Sequence, residues 1–185
     1  MRDYMVQQTT GDRAMRYRPV VVAIHWITAV LILTQIYLGF AFSSFPKGTL
    51  ERAELFTWHK TVGVTILILA LLRLAVRLMN MPPPYPAELA KWERAFGVWT
   101  HRLFYILIIA LPLTGLAAAS KDELNAEIIG GLTVPTIPLP IGELHEPLVF
   151  ATILLLLLHV AGALKHQFID RGPSADRMWP FRSTR

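Results

Sequence analysis

Long runs without a charged side chain are the feature that most constrains this chain. No Lys, Arg, Asp or Glu occurs in residues 19–46, 103–120 or 147–164. Each run reaches the length of about 18 residues that marks a membrane-spanning helix. A fourth apolar run, residues 61–72, is shorter, but it becomes a span if the basic residues at its ends extend toward the lipid headgroups. The sequence therefore predicts four spans, near residues 20–44, 58–79, 99–120 and 144–168.

The composition fits a protein surrounded by lipid. The 185 residues are 54% hydrophobic and only 17% charged, whereas a soluble domain is about 25% charged. The first apolar run is longer than the core of a signal peptide, about 7–15 residues, and no small-residue cleavage site follows it. We expect one domain, residues 1–185: an all-α integral membrane protein, folded as a four-helix bundle.

The basic residues predict how the bundle is oriented. Fourteen of the eighteen Lys and Arg fall in the N-terminal tail, the second connection or the C-terminal tail. With an even number of spans, the positive-inside rule then places both termini in the cytoplasm. The basic charge is thus explained by topology, and no nucleic-acid partner is expected.

All six histidines lie inside or at the edge of the predicted spans, where an ionisable side chain is costly and marks a functional candidate. A single one could equally be a hydrogen-bonded core or interfacial histidine. His145 and His159, however, are separated by about four helical turns, so they share one face of the fourth helix. Their separation along the axis is about 21 Å, which places one near each membrane surface.

Imidazole is a good iron ligand in an apolar setting, and a porphyrin between helices needs one ligand on each side of its plane. Matching depth in the membrane pairs His59 with His145 at the outer surface. It pairs His25 with His159 nearer the cytoplasm. The sequence therefore predicts two bis-histidine sites stacked across the membrane, a path for electrons.

Two histidines, His101 and His166, lie closer to the inner surface, and His101 is the main alternative ligand to the four above. Methionine is excluded as a ligand because every Met lies in a tail or at a helix edge. Cysteine is absent, which excludes disulfides, iron–sulfur clusters and covalently attached haem. The haem must therefore be non-covalent b-type.

Several other residues have two interpretations. Arg73 and Arg77, one turn apart, suit the propionates of the inner haem, or they are basic residues that anchor the span in the headgroups. Gly39, Gly63 and Gly162 lie near the predicted ligands, and a missing side chain there permits either approach of a macrocycle or close helix packing.

Segments on all four helices together resemble the prokaryotic cytochrome b561 family, which is related to the cytochrome b subunits of nickel–iron hydrogenases. The likeness covers about residues 17–181. It is carried by Ala23-Ile24-His25-Trp26, Trp58-His59-Lys60 with Gly63, Leu71-Leu72-Arg73 through Arg77-Leu78, Ala110-Leu111-Pro112 with Gly115, and Leu144-His145-Glu146 with His159 and His166.

The resemblance implies a multi-pass protein of the bacterial inner membrane with two haem b groups, ligated by the same four histidines, that exchanges electrons with ubiquinone. One type of family member is a superoxide oxidase, which passes electrons from periplasmic superoxide to ubiquinone. The family's quinone-site histidine corresponds to His166. We expect His166 to hydrogen-bond a quinone carbonyl and help supply its proton, with Lys165 lending positive charge.

The outer segments argue against a surface that attracts superoxide, because they carry seven acidic and only four basic residues. Lys60, next to His59, is our candidate for guiding the anion locally, and its alternative role is a membrane anchor.

Three functions stay open at this point. The chain is either a stand-alone oxidoreductase or a membrane-anchor subunit that relays electrons to or from a periplasmic dehydrogenase or hydrogenase. The absence of a further helix or soluble domain favours the first. A histidine-bearing metal transporter without haem is a third possibility. The outer loop, residues 121–143, is either a lid or docking surface or a spacer.

Overall fold

Four long helices make up the fold in a computed structural model, which describes residues 17–79, 90–121, 127–134, 137–170 and 178. Each helix is long and apolar enough to cross a membrane, which confirms the all-α, four-span prediction. The described residues form α1 (Pro19–Ser43), α2 (Leu50–Met79), α3 (Lys91–Lys121) and α4 (His145–Leu164), with a 3₁₀ turn at Gly142–Leu144 before α4 and a π-helical turn at Lys165–Asp170 after it.

Two helices begin well before the predicted positions. The spans near 58–79 and 99–120 are continuations of α2 and α3, whose first turns are charged. Glu51 lies in the first turn of α2, where a carboxylate complements the helix dipole. In α3, Glu93 Oε2 accepts a hydrogen bond from the Ala90 N–H at 3.3 Å, which caps that helix.

The start and end of α1 follow from local chemistry. Pro19 opens the helix, where its missing N–H costs nothing, and the N–H groups of Val21 and Val22 donate to the Arg18 carbonyl. The turn after α1 contains Gly48 at φ 87°, a conformation that favours glycine. The Arg52 guanidinium donates to the carbonyls of Phe42 and Phe45, both at 2.9 Å, and so ties the start of α2 to the end of α1.

The helices are packed through a thin core, and their outer faces are apolar. The fully buried apolar side chains are few and often small, as at Ala70, Ala117 and Ala119. Large side chains such as Leu33 and Leu157 are exposed. This pattern is typical of helices that pack closely through small residues while lipid covers the rest.

The bundle has two chemically different ends. The end of α1, the start of α2, the end of α3 and the start of α4 meet at what we call the His145 end. The opposite end, with the start of α1 and the end of α4, is the His25 end. Residues 81–86, a proline-rich stretch that follows α2 in the sequence, lie outside the described residues.

Candidate functional site

At the His145 end, two imidazoles from different helices face each other. His59 of α2 and His145 of α4 have ring centres 6.3 Å apart, with their planes at 82°. Both side chains are half-buried. The depth-matched outer pair of the sequence prediction is therefore brought together by the fold.

His145 is held in place by α3. Its Nδ1–H donates to the Leu111 carbonyl at 2.9 Å, and Thr114 Oγ1 lies 3.2 Å from the same nitrogen. A backbone carbonyl on one ring nitrogen leaves the other nitrogen for a ligand, which is the usual arrangement of metal-binding histidines. The turn before α4 approaches α3 so closely that a Cβ at Gly142 would lie 2.7 Å from the Ala118 Cα.

His59 has a different environment. Its Nε2 accepts a hydrogen bond from the Gln35 side-chain amide at 3.1 Å. Its Nδ1 is buried and has no hydrogen-bond partner among the described residues, and the same is true of Gln35 Oε1. A Cβ at Gly39 would lie 3.3 Å from the His59 ring, so this glycine makes room for the imidazole itself.

Cavities of about 490 Å³ and 420 Å³ lie against this pair. Both are lined by His59 and His145, and they share Gln35, Phe42 and Pro112. A flat macrocycle placed between the two imidazoles requires open space beside the rings, and the cavities supply it.

At the His25 end, His25 and His159 also have ring centres 6.3 Å apart, with their planes at 69°. His101 is a third imidazole, centred 5.5 Å from that of His159. Its Nδ1–H donates to the Gly97 carbonyl at 2.6 Å. The Arg73 guanidinium donates to His25 Nδ1 at 3.2 Å and lies over the Tyr105 ring.

These side chains fit haem. Metal–imidazole bonds of about 2 Å on both sides of one metal atom place two ring centres roughly 6 Å apart, and both pairs show that spacing. At the His145 end, His59 has a buried nitrogen without a partner, and the adjoining cavities supply space. Arg73, half-buried beside His25, is within reach of a carboxylate bound there, whereas Arg77 is exposed.

The two predicted quinone residues lie at the His25 end, among partners that the sequence did not indicate. His166 Nδ1 donates to Asp170 at 2.7 Å. Lys165 donates to Glu93 at 2.7 Å and to Asp170 at 2.8 Å. The spacing of His166 and Asp170, four residues along a helix, was the one available signal.

The predicted anion guide, Lys60, is half-buried at the His145 end, where its ammonium lies over the Phe56 ring. It lines the larger cavity together with Lys47 and Arg52. Part of the outer loop packs beside it, because the Ile129 N–H donates to Thr61 Oγ1 at 3.1 Å.

Four apolar helices that carry two pairs of closely spaced imidazoles are typical of a membrane protein that binds haem. The chain belongs to the prokaryotic cytochrome b561 family, which it matches over residues 16–181. The family binds haem b and serves electron transport. Its four spans and its family make this chain a multi-pass bacterial membrane protein of an oxidoreductase type.

Three relatives match nearly end to end. Cytochrome b561 homolog 2 of Escherichia coli K12 is 25% identical over 172 residues, 88% of this chain and 90% of the relative. Cytochrome b561 homolog 1 of the same strain is 25% identical over 177 residues, 90% of this chain and 98% of the relative. A probable superoxide oxidase, CybB, of Yersinia pestis is 24% identical over 176 residues, 89% of this chain and 96% of the relative.

Proposed function

We propose that the chain is a di-haem b cytochrome of the inner membrane that passes electrons from periplasmic superoxide to ubiquinone. The observation that carries the proposal is the pair of matched imidazole sites, each with ring centres 6.3 Å apart, at opposite ends of one bundle. One site then receives electrons near one membrane surface, and the other delivers them near the opposite surface. The positive-inside pattern puts the His145 end in the periplasm and both termini in the cytoplasm.

The charges at the His145 end support an anionic substrate. The outer segments carry more acidic than basic residues, but Lys47, Arg52 and Lys60 line one cavity beside the histidine pair. No Asp or Glu contributes to its wall within the described part of the chain. Positively charged side chains around a cavity attract an anion into it, even where the surrounding surface carries a net negative charge. The name of the Yersinia pestis relative agrees with superoxide as this anion.

The reaction balances with two superoxide anions for each quinone. Each anion gives up one electron and leaves as O₂, and ubiquinone takes up two electrons and two protons to become ubiquinol. Haem b held between two histidines would supply one-electron chemistry.

The residues of this chain have separate tasks in this reaction. His59 and His145 would hold the outer haem, and His25 and His159 would hold the inner one. Lys60 draws the anion toward the outer pair.

The remaining residues act at the cytoplasmic side. Arg73 and Arg77 bind the inner propionates. A carboxylate is a stronger partner for Arg73 than a ring nitrogen is, so Arg73 would bind a propionate in preference to His25 Nδ1. His166 hydrogen-bonds a quinone carbonyl and supplies a proton to it. Lys165 contributes positive charge beside it, although its ammonium is shared with Glu93 and Asp170.

The test is to give purified, quinone-loaded protein a superoxide source and to follow haem reduction and quinol formation. We expect two haems per chain, fast haem reduction, and slower reduction in Lys60→Glu, most clearly at low salt where screening is weakest. If superoxide fails to reduce the haems while a periplasmic redox protein succeeds, the chain is instead a membrane-anchor cytochrome subunit. A protein that binds no haem contradicts both functions.

A further inference from the structure

A cluster of charged side chains joins the start of α3 to the π-helical turn after α4, at the His25 end. We call Glu93, Lys165, His166 and Asp170 the His166 cluster. One carboxylate oxygen, Asp170 Oδ2, accepts hydrogen bonds from His166 Nδ1 at 2.7 Å and from Lys165 Nζ at 2.8 Å. Lys165 Nζ also donates to Glu93 Oε1 at 2.7 Å. Asp170 therefore links the candidate quinone histidine to α3.

The geometry depends on the π-helical turn at Lys165–Asp170. In an α-helix, residues five apart point about 140° away from each other, so Lys165 and Asp170 would diverge. The i→i+5 bonding of a π-helix brings such residues onto one side, and π-turns are frequent at functional sites. Lys165 and His166 can then reach the same carboxylate oxygen at once.

Hydrogen bonding in the cluster assigns different tasks to the two nitrogens of His166. An ionised carboxylate can only accept a hydrogen bond, so Nδ1 must carry the hydrogen that it donates to Asp170. Nε2 is then the ring nitrogen left for a ligand. The His166 side chain is 25% exposed and that of Asp170 is 35% exposed, so water reaches both groups.

The charges of the cluster match a protonated histidine. Two carboxylates and one ammonium leave one negative charge while His166 is neutral, and a proton on His166 balances it.

We propose that Asp170 is a positioning residue for quinone reduction: it holds Nδ1 of His166 and orients Nε2 toward a quinone carbonyl oxygen. This inference rests on the proposed function, which places ubiquinone beside His166. During reduction, the Nε2–H bond of the imidazolium breaks as an O–H bond forms on the quinone. His166 becomes neutral, keeps its Nδ1–H bonded to Asp170, and regains a proton from cytoplasmic water. The second quinol proton enters from solvent, and both electrons arrive from superoxide.

The experiment measures haem oxidation by decylubiquinone in the full-length, haem-loaded protein over a range of quinone concentrations. We expect Asp170→Asn to lower the rate at saturating quinone about tenfold, the size of a weakened proton transfer. The concentration for half-saturation should change less than about twofold. Asp170→Glu, which keeps the carboxylate, should recover most of the rate. Haem content and reduced-minus-oxidised spectra should match the unaltered protein in each variant.

A double variant tests whether Asp170 acts through His166. If it does, Asp170→Asn adds no further loss to His166→Ala, because the two residues work as one unit. An equal loss in both backgrounds would show that Asp170 merely supports the helix end, and it would overturn the inference. If Asp170→Asn fails to retain haem, Asp170→Ser is compared with Asp170→Glu in the same way.

The failures of the two proposals are distinguishable. Slow haem oxidation in His166→Ala, together with a normal rate in Asp170→Asn, overturns the role of Asp170 and leaves the quinone role of His166 standing. A normal rate of haem oxidation in His166→Ala shows that the quinone site does not lie at this end. Glu51→Gln is the matched control, since it makes the same carboxylate-to-amide change at the start of α2, at the other end of the bundle.

Discussion

The two ends of the bundle hold histidine pairs of equal spacing in unlike surroundings. At the His145 end, the imidazoles contact uncharged groups: the Leu111 carbonyl, the Thr114 hydroxyl and the Gln35 amide. At the His25 end, the pair lies beside the guanidinium of Arg73 and a third imidazole, His101. The direct hydrogen-bond partners of the imidazoles are therefore uncharged at one end and include a guanidinium at the other.

Backbone packing differs between the ends in the same way. At the His145 end, Gly39 and Gly115 lie directly against the ligand rings, where an added Cβ would come within 3.3 Å and 3.1 Å of His59 and His145. At the His25 end, Cβ atoms at Gly97 and Gly162 would meet nothing within 4 Å. The glycines therefore pack more closely against the histidines at the first site than at the second.

Removing a ligand should have the largest effect and should separate the two ends. His145→Ala or His59→Ala should remove mainly the haem of the His145 end, and His159→Ala or His25→Ala mainly the other, each lowering the haem content by about half. Haem quantified per chain, together with low-temperature spectra, measures this. His101→Ala is the control and should retain both haems. Retention of both haems in His25→Ala, with loss in His101→Ala, would contradict the pairing.

A methyl group at Gly142 should give the next largest effect, confined to the His145 end. Its Cβ would lie 2.7 Å from both Cα and N of Ala118, which are backbone atoms and cannot turn aside. The turn before α4 must then move away from α3 and carry His145 with it. We expect Gly142→Ala to cost about 1–3 kcal/mol of stability, as overpacking does, and to weaken the haem of that end selectively.

The matched control is Gly162→Ala, because a Cβ there meets open space. Thermal unfolding followed by haem absorbance compares the two variants. Equal behaviour of the alanine variants would show that the close approach at Gly142 does not position His145.

The spans and the closeness of the paired histidines could be predicted because they depend on quantities that a sequence contains. Uncharged runs report the cost of placing side chains in lipid, and helical periodicity relates His145 to His159. The early starts of α2 and α3 were missed because their charged first turns are helical without being apolar. Hydropathy measures transfer into lipid and gives no information on where a helix begins in water.

Contacts between helices were predicted less well, since they depend on how each helix is rotated about its axis. The sequence placed Gly39 near the outer site but left open whether a macrocycle or a helix fills its space. The structure puts the His59 ring there. For Gly162, no neighbouring atom is close enough to need the space. Asp170 was missed because a π-turn, which the residue pattern does not indicate, brings it to Lys165.

The smallest effect we expect concerns the redox potentials of the two ends. An Nδ1–H bonded to a carbonyl makes His145 a more basic ligand, which favours oxidised iron and lowers the potential of that haem. A nearby guanidinium disfavours the extra positive charge of oxidised iron, so Arg73 raises the potential of the other haem. We therefore expect electrons to run downhill from the His145 end to the His25 end, the direction that the proposed quinone reduction requires.

Replacing Arg73 tests this difference, since Arg73→Gln should lower the higher of the two potentials by about 60 mV, a tenfold change for a one-electron couple. Arg73→Lys keeps the charge and should change it much less. Thr114→Val, a neutral change at the other end, should leave the higher potential unaltered. A redox titration resolved into two components measures all three variants. If Arg73→Gln instead shifts the lower potential, or if Arg73→Lys shifts the higher one as far as Arg73→Gln does, charge at the His25 end does not set the direction of electron flow.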